Sequence, residues 1–255
     1  MVKIAVFDSG FGSLSVIKQI RKRMKAEVIY FADQENFPYG KKSVPELRRI
    51  INKTISTLNK EFKPDVIVVG SNTPSILFGG YKSSKIIGVY PPLKEASKKT
   101  KTYSIAILAT QNVVKSKALD DLIRKNVSKK VKILKINASP IVELVESGKF
   151  IYQKQYCINK IKSLLLKPLE DNQVDVVTLS STHLPFILPL LHQLFPKIEF
   201  LDPANSIVTK ILKIHNNLPK TKSTFTIYSS GKITRFQNQL NKIRIKRKVK
   251  ILKIH

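Results

Sequence analysis

Short β-branched runs alternate along this chain with amphipathic helical stretches, and that alternation limits its folds more than any other feature. The runs are KIAVFD, EVIYFAD, DVIVVGS, KIIGVY, SIAILAT, KILKIN, DVVTLSS and IEFLD, with lysine-rich helical patterns between them, as at 13–25, 43–60 and 155–170. A strand that reaches the next strand through a helix returns parallel to it. The expectation is an α/β protein with mostly parallel sheets flanked by helices.

The pattern also repeats. DVIVVGSNTP, from Asp65, resembles DVVTLSSTH, from Asp175, with Ser71 and Ser181 each six residues beyond the aspartate. IAVFD at 4–8 echoes IAILA at 105–109, about one hundred residues later, so two pseudo-symmetric lobes of ordinary domain size are expected. In both copies the polar residues follow a buried strand at its carboxyl end, where open α/β sheets place their ligands, and one cleft between the lobes is expected. The alternative is that Ser-Asn-Thr and Ser-Thr-His only turn the chain and cap the next helix.

Composition narrows the chemistry. With 255 residues, 42% of them hydrophobic, the chain supports one large or two small cores and is no disordered tail. No apolar run nears the ~20 residues of a membrane helix, and MVKIAVFDSG carries no signal pattern; a cytoplasmic chain without a membrane partner is expected. The single cysteine, Cys157, cannot close an intrachain disulfide and falls in the patterned stretch 155–170 as a packed helix residue. Four scattered histidines form no ligand cluster, so no metal site is expected.

The charge is lopsided: 46 Lys and Arg against 17 Asp and Glu, a net of +29. The last acid is Asp202, and 203–255 carry 13 basic side chains without one acidic partner. Within 242–255, Lys242, Arg244, Lys246, Lys248 and Lys250 alternate with Ile243, Ile245, Val249 and Ile251, which predicts one strand with cations about 6.6 Å apart on one face, fit to meet successive phosphates. Lys18, Arg21, Lys22 and Lys25, spaced as one helix face, would extend it. A polyanion is the expected partner, nucleic acid first. With no RNA-recognition, homeodomain or zinc-finger motif, contacts would be to phosphates, with little sequence preference. Lysines guarding a sheet edge, or a merely solvated surface, are the alternatives.

Ordered motifs across nearly the whole chain carry a family resemblance. They are Asp8-Ser9-Gly10 with Gly12 and Leu14-Ser15-Val16; Phe31-Ala32-Asp33; Pro38-Tyr39-Gly40-Lys41-Lys42-Ser43; Ser71-Asn72-Thr73; Ile87-Gly88-Val89; Leu108-Ala109-Thr110; Leu144-Val145-Glu146-Ser147-Gly148; Ser181-Thr182-His183 with Pro185; Asp202-Pro203-Ala204; and Tyr228-Ser229-Ser230-Gly231 with Phe236. Together they resemble glutamate racemase, of the aspartate/glutamate racemase superfamily. The resemblance implies a first lobe of 1–97 plus 208–255, a second of 98–207, and a ligand cleft between them.

In that family two cysteines flank the α-carbon of glutamate, one removing the proton and the other returning it, without a cofactor. Their positions here hold Ser71 and Ser181. Asp8, Glu146 and His183 match the family's helpers of those thiols. Asp8 and Ser9 would face the ligand ammonium, Asn72, Thr73, Thr110 and Thr182 would bind carboxylates, and Pro38, Tyr39 and Gly40 would form a loop wall. Val113 and Leu119 stand where the family usually has Thr and Tyr.

A thiol of pKa near ~8.5 can be tuned to shuttle protons at pH 7, whereas a hydroxyl lies several units higher, each costing about 1.4 kcal/mol to offset. The resulting expectation is a racemase-like protein that binds an amino acid or small carboxylate, lacks thiol racemisation and holds a polyanion on its basic surface; a homodimer stays open. The alternative is an amino-acid racemase or isomerase working through Asp8, Glu146 and His183, or an inactivated form of a cofactor-independent racemase. A Ser181–His183 nucleophile is disfavoured, because no Gly-x-Ser-x-Gly elbow is present.

Overall fold

The computed structural model describes residues 1–81, 83–215 and 223–254. Its strands are β1 (Lys3–Asp8), β2 (Glu27–Ala32), β3 (Val66–Val69), β4 (Ile86–Gly88), β5 (Ser104–Ala109), β6 (Lys132–Asn137), β7 (Val176–Ser180), β8 (Glu199–Leu201), β9 (Thr224–Ser229) and β10 (Val249–Ile251). The helices are α1 (Leu14–Arg23), α2 (Val44–Phe62), α3 (Asn72–Leu77), α4 (Leu93–Lys99), α5 (Gln111–Val114), α6 (Lys117–Asn126), α7 (Ser139–Glu146), α8 (Lys149–Tyr152), α9 (Lys154–Asp171), α10 (Leu188–Leu194), α11 (Ala204–Ile214) and α12 (Ile233–Lys242). Every β-branched run singled out in the sequence supplies one of β1 to β8, and all described strand pairs are parallel. The fold is α/β.

Two sheets form, ordered β10-β9-β2-β1-β3-β4 and β6-β5-β7-β8. The sequence repeat is therefore a topological one: β2-β1-β3-β4 and β6-β5-β7-β8 share one strand order, and register agrees, with Ile4 opposite Val66 in the first sheet and Ile105 opposite Val176 in the second. Carried past the strand ends, that register makes Gly70 the counterpart of Ser180 and Ser71 the counterpart of Ser181. The aspartates that open the repeat are anchors. Asp65 Oδ2 accepts the Lys3 amide at 2.8 Å, and Asp175 accepts the Lys101 and Thr102 amides at 2.6 and 3.1 Å and the Thr100 hydroxyl at 2.6 Å, so each ties its strand to the start of the neighbour.

The chain divides into one unit of Met1–Val89 with Ala204–His255 and another of Tyr90–Pro203. α4 packs on β7 and α6 and so belongs to the second unit, whereas α11 packs on α1 and β4 and belongs to the first; the expected divisions after residues 97 and 207 fall inside these two helices.

In the first unit, Ala5, Phe7, Phe31, Ile67 and Val69 of the sheet meet Leu47, Ile51, Ile55 and Leu58 of α2. Those α2 positions recur at helical spacing, which is why the stretch is a helix: one face is apolar and buried, and the other carries Arg48, Arg49, Lys53 and Lys60 in solvent. Ser43 starts it by accepting the Glu46 amide, and Lys63 ends it in the left-handed region at φ 47°. In the second unit, Ala96, Ile105, Val131, Val176 and Leu201 pack together, and Cys157 is buried on the α9 face that also presents Ile161, Leu165 and Leu169. Burial pushes the Cys157 thiol up from its usual value, as for a packing residue.

The C-terminal expectation needs correction, because 242–255 is not one strand. Phe236, Leu240 and Ile243 are buried at helical spacing, so α12 runs through Lys242 and claims Ile243 as its last apolar contact. Arg244 then turns left-handed at φ 61°, with its amide bonded to Asn241 O and the Ile245 amide to Leu240 O, which closes the helix as a Schellman turn. Strand structure returns only at Val249–Ile251, where Val249 is buried and Ile251 is 56% exposed. Lys242, Arg244, Lys246, Lys248 and Lys250 are all exposed, but on a helix end, a turn and a short strand rather than on a single ladder.

Candidate functional site

The first unit gathers its polar side chains at the carboxyl ends of β1, β2, β3 and β9. Asp8 closes β1 and is nearly fully buried; its Oδ1 accepts the Ser9 amide at 2.7 Å and its Oδ2 accepts the Ser13 hydroxyl at 2.8 Å. The same hydroxyl lies 2.7 Å from Gly70 O, so Ser13 ties the end of β1 to the end of β3. This contact explains the glycine before Ser71, since a Cβ at Gly70 would stand 2.2 Å from Ser13 Oγ.

The 38–40 loop rests on these strand ends. Tyr39 N donates to Ser9 Oγ at 3.3 Å, Gln34 Nε2 donates to Ser9 O at 2.6 Å, and the Tyr30 hydroxyl donates to Gly10 O. The Phe37–Pro38 bond is cis, Tyr39 is buried, and Pro38 and Gly40 are half-buried. The Tyr39 hydroxyl donates to Asp33 Oδ2 at 2.8 Å, and Asp33 also accepts from Asn36 Nδ2 and from the Ser230 hydroxyl at 3.0 Å. Burial holds the Asp33 carboxyl above its usual range against these three donors, and it pushes the Tyr39 hydroxyl well up, with the Asp33 charge acting in the same direction.

Ser71 precedes α3 at the end of β3 and is half-buried. Its hydroxyl makes no hydrogen bond to a described residue and does not cap the helix. Asn72 is buried, donates Nδ2 to Val89 O at 3.3 Å and leaves Oδ1 without a partner. Thr73 is buried beside it.

In the second unit the counterparts follow β5 and β7. Thr110 succeeds β5 and is half-buried; Ser181, Thr182 and His183 succeed β7 and are buried. His183 Nε2 and Glu146 Oε2 lie 2.6 Å apart, the glutamate arriving from the end of α7, 37 residues earlier. The Ser181 hydroxyl, like that of Ser71, has no hydrogen-bond partner among the described residues. The Ser181 hydroxyl makes no hydrogen bond to His183, so the serine–histidine link of a histidine-activated serine is absent. Ser71 holds the N-cap position of α3 without a side-chain cap bond, and Ser181 O accepts the Leu184 amide in the turn that follows β7, so both serines turn the chain while leaving their hydroxyls uncommitted.

Among the described residues no group of three or more His, Cys, Asp or Glu side chains could hold a metal ion. No described helix is long and apolar enough to cross a membrane. The sequence reading gave no role to Ser13 or Ser230, and it quoted Asp33 without one. Asp33 carried a signal, because it follows β2 as Asp8 ends β1.

The fold with two parallel sheets of like strand order is shared with solved glutamate and aspartate racemases. Escherichia coli glutamate racemase, solved with L-glutamate and the activator UDP-MurNAc-Ala, superposes with a TM-score of 0.84 at 23% identity over 100% of this chain and 99% of that one. Picrophilus torridus aspartate racemase superposes with a TM-score of 0.62 at 15% identity, covering 86% and 97%. Sequence relatives are nearer: the glutamate racemase of Bacillus cereus is 30% identical over 250 residues, 94% of this chain and 91% of that one. The glutamate racemase of Clostridium botulinum is 36% identical over 209 residues, 78% of each. This chain belongs to the glutamate racemase family. No protein-family profile matches it.

Proposed function

We propose that this protein binds an amino acid or small carboxylate through the two sets of strand-end residues and does not racemise it by the family's two-thiol route. The observation that carries this reading is the pair of serines at matched register, Ser71 and Ser181, whose hydroxyls have no hydrogen-bond partner among the described residues. Hydroxyls in that state are available to a ligand. Asp8 and the unpartnered Asn72 Oδ1 suit an ammonium group, while Thr73, Thr110 and Thr182 supply donors for carboxylates. Binding of glutamate by the solved E. coli relative supports an amino-acid ligand here.

Neither hydroxyl is basic enough to abstract an α-proton at pH 7, and Asp8, Glu146 and His183, which match the family's helper positions, would act on the ligand's polar groups or on bound water. The test is α-proton exchange of L- and D-glutamate and aspartate in deuterated water, followed by NMR. No appreciable exchange is expected; exchange at rates typical of enzymes would return the reading to an isomerase that uses Asp8, Glu146 and His183.

A second reading concerns the surface. The exposure of Lys242, Arg244, Lys246, Lys248 and Lys250 supports a polyanion partner, nucleic acid first. Replacing all five by glutamine is expected to weaken binding alike on unrelated sequences; unchanged binding would remove these residues from the surface.

A further inference from the structure

The positive charge is not shared evenly between the two units. Met1–Val89 with Ala204–His255 hold 28 Lys and Arg against 7 Asp and Glu, a net of +21, while Tyr90–Pro203 hold 18 against 10, a net of +8. Within the first unit one ring organises part of this excess. Phe225 of β9 is half-buried, and Arg21 of α1 sits over it with Cζ 5.1 Å from the ring centroid. Arg247, from the segment between α12 and β10, lies over the same ring at 6.0 Å. The two guanidinium carbons are thus within about 11 Å of one another, close to the ~10 Å Debye length at 0.1 M salt. Lys250 lies over Tyr228 at 5.9 Å, but Tyr228, three residues on from Phe225, faces the other side of the sheet beside Phe62 of α2, so Lys250 stands apart from this cluster.

These cations are unneutralised. None of Lys18, Arg21, Lys22, Lys25, Lys246, Arg247, Lys248 and Lys250 forms an ion pair among the described residues, and all eight are exposed. A cation held near a ring face by its charge spends none of its N–H donors on the ring, which leaves them for an anion. The apolar side of α1, Leu14, Val16, Ile17 and Ile20, is buried, which leaves this face nothing to insert into a lipid layer. A cluster of exposed cations beside a helix whose apolar side is buried suits a phosphate backbone.

We infer that Arg21 and Arg247, gathered on Phe225, are the centre of a nucleic-acid backbone-binding surface on the first unit, flanked by the exposed face of α1. The inference rests on the polyanion reading above and moves its centre from the expected strand ladder to a tertiary cluster. The assay is fluorescence anisotropy of the full chain with a labelled single-stranded RNA, a DNA duplex of unrelated sequence and heparin as a non-nucleic polyanion, at several salt concentrations, with sedimentation against phosphatidylserine vesicles beside it.

Wild-type protein is expected to bind both nucleic acids with Kd on the order of 10⁻⁵ M at about 100 mM salt. R21Q/R247Q is expected to bind about tenfold more weakly and to lose about 1.8 from the log–log salt slope on duplex and about 1.4 on single strands, two phosphate contacts' worth. Phe225→Leu keeps both charges and loosens them, so affinity should fall a few-fold with the slope unchanged. K125Q/K129Q removes the same charge from exposed positions of the second unit and should leave affinity within about twofold, since distant charges are screened.

Equal losses in the R21Q/R247Q and K125Q/K129Q variants would overturn the inference in favour of bulk charge. Loss on replacing Lys242, Arg244, Lys246, Lys248 and Lys250 but not in R21Q/R247Q would overturn it while leaving the polyanion reading standing. No binding to either nucleic acid at about 100 mM salt would end both, and preference for vesicles or heparin would replace the partner class. Both arginines are exposed, so unchanged melting of the double variant separates loss of binding from loss of fold.

Discussion

The two units share a strand order and differ in what they hang on it. At the end of β3 the first unit has Gly70, admitted there by the approach of Ser13; at the matching place the second has Ser180, whose hydroxyl lies 3.2 Å from Thr178 Oγ1. The first unit builds a carboxylate and hydroxyl network on Asp8, Ser13, Asp33 and Tyr39 at its strand ends, and the second places a buried Glu146–His183 pair two residues from Ser181. The first also adds β9 and β10 to its sheet and carries most of the net charge. A duplicated scaffold thus retained its backbone geometry, which every strand pair depends on, while each copy's strand ends took on separate chemistry, which only a few side chains depend on.

The largest effect that would sharpen this comparison is chemical. Introducing Ser71→Cys and Ser181→Cys together is expected to raise glutamate racemisation by several orders of magnitude over the parent, because thiolates reach a useful basicity near pH 7. Each single variant should exchange the α-proton of one enantiomer without inverting it, and the two singles should prefer opposite enantiomers. Identical behaviour of the singles, measured by NMR and circular dichroism, would mean that the two serine positions do not differ in the enantiomer they serve.

The next effect is on stability. Gly70→Ala forces a Cβ against Ser13 and Phe7 O and should cost about 1–3 kcal/mol in denaturant unfolding. Ser180→Ala, at the matching place, gives up one hydroxyl contact and should cost about 1 kcal/mol. Equal costs would show that the Ser13 tie does not distinguish the units.

The smallest effect is pH-linked and of opposite sign in the two units. Asp33 has its folded pKa raised by burial, so its favourable contribution is complete below the unfolded value of about 3.9 and is lost as pH rises through the folded pKa. Asp175 is the reverse: burial opposes ionisation, but bonds from Thr100 and from the Lys101 and Thr102 amides prevail and hold the carboxyl low. Its contribution is present above about 3.9 and fades as pH falls through the folded value. Asp175→Asn should therefore destabilise at pH 7, by about 1 kcal/mol or less after solvent screening, with the difference closing in acid. Asp33→Asn should gain relative to the parent as pH rises from about 4 to 7. Urea midpoints across pH 3–8 check both, and parallel curves for the two variants would break the contrast.

Sequence alone determined what depends on periodicity. The β-branched runs became β1 to β8, the apolar spacing of Leu47, Ile51, Ile55 and Leu58 became the buried side of α2, and the repeated aspartate and serine positions became matched strand starts and strand ends. Where two periods overlapped, the local reading failed: Ile243 fits both a strand alternation and the helical spacing from Phe236 and Leu240, and burial of that helix face decided for the helix. Only the tertiary structure decided that β9 lies beside β2, that Glu146 meets His183, that Ser13 reaches Gly70, and that Arg21 and Arg247 share Phe225. Each of those contacts joins residues tens to hundreds of positions apart. Hydrophobic period specifies which face of an element is buried, but not which distant element covers it; that choice is made when whole sheets and helices pack and loop closure is offset by all their contacts together.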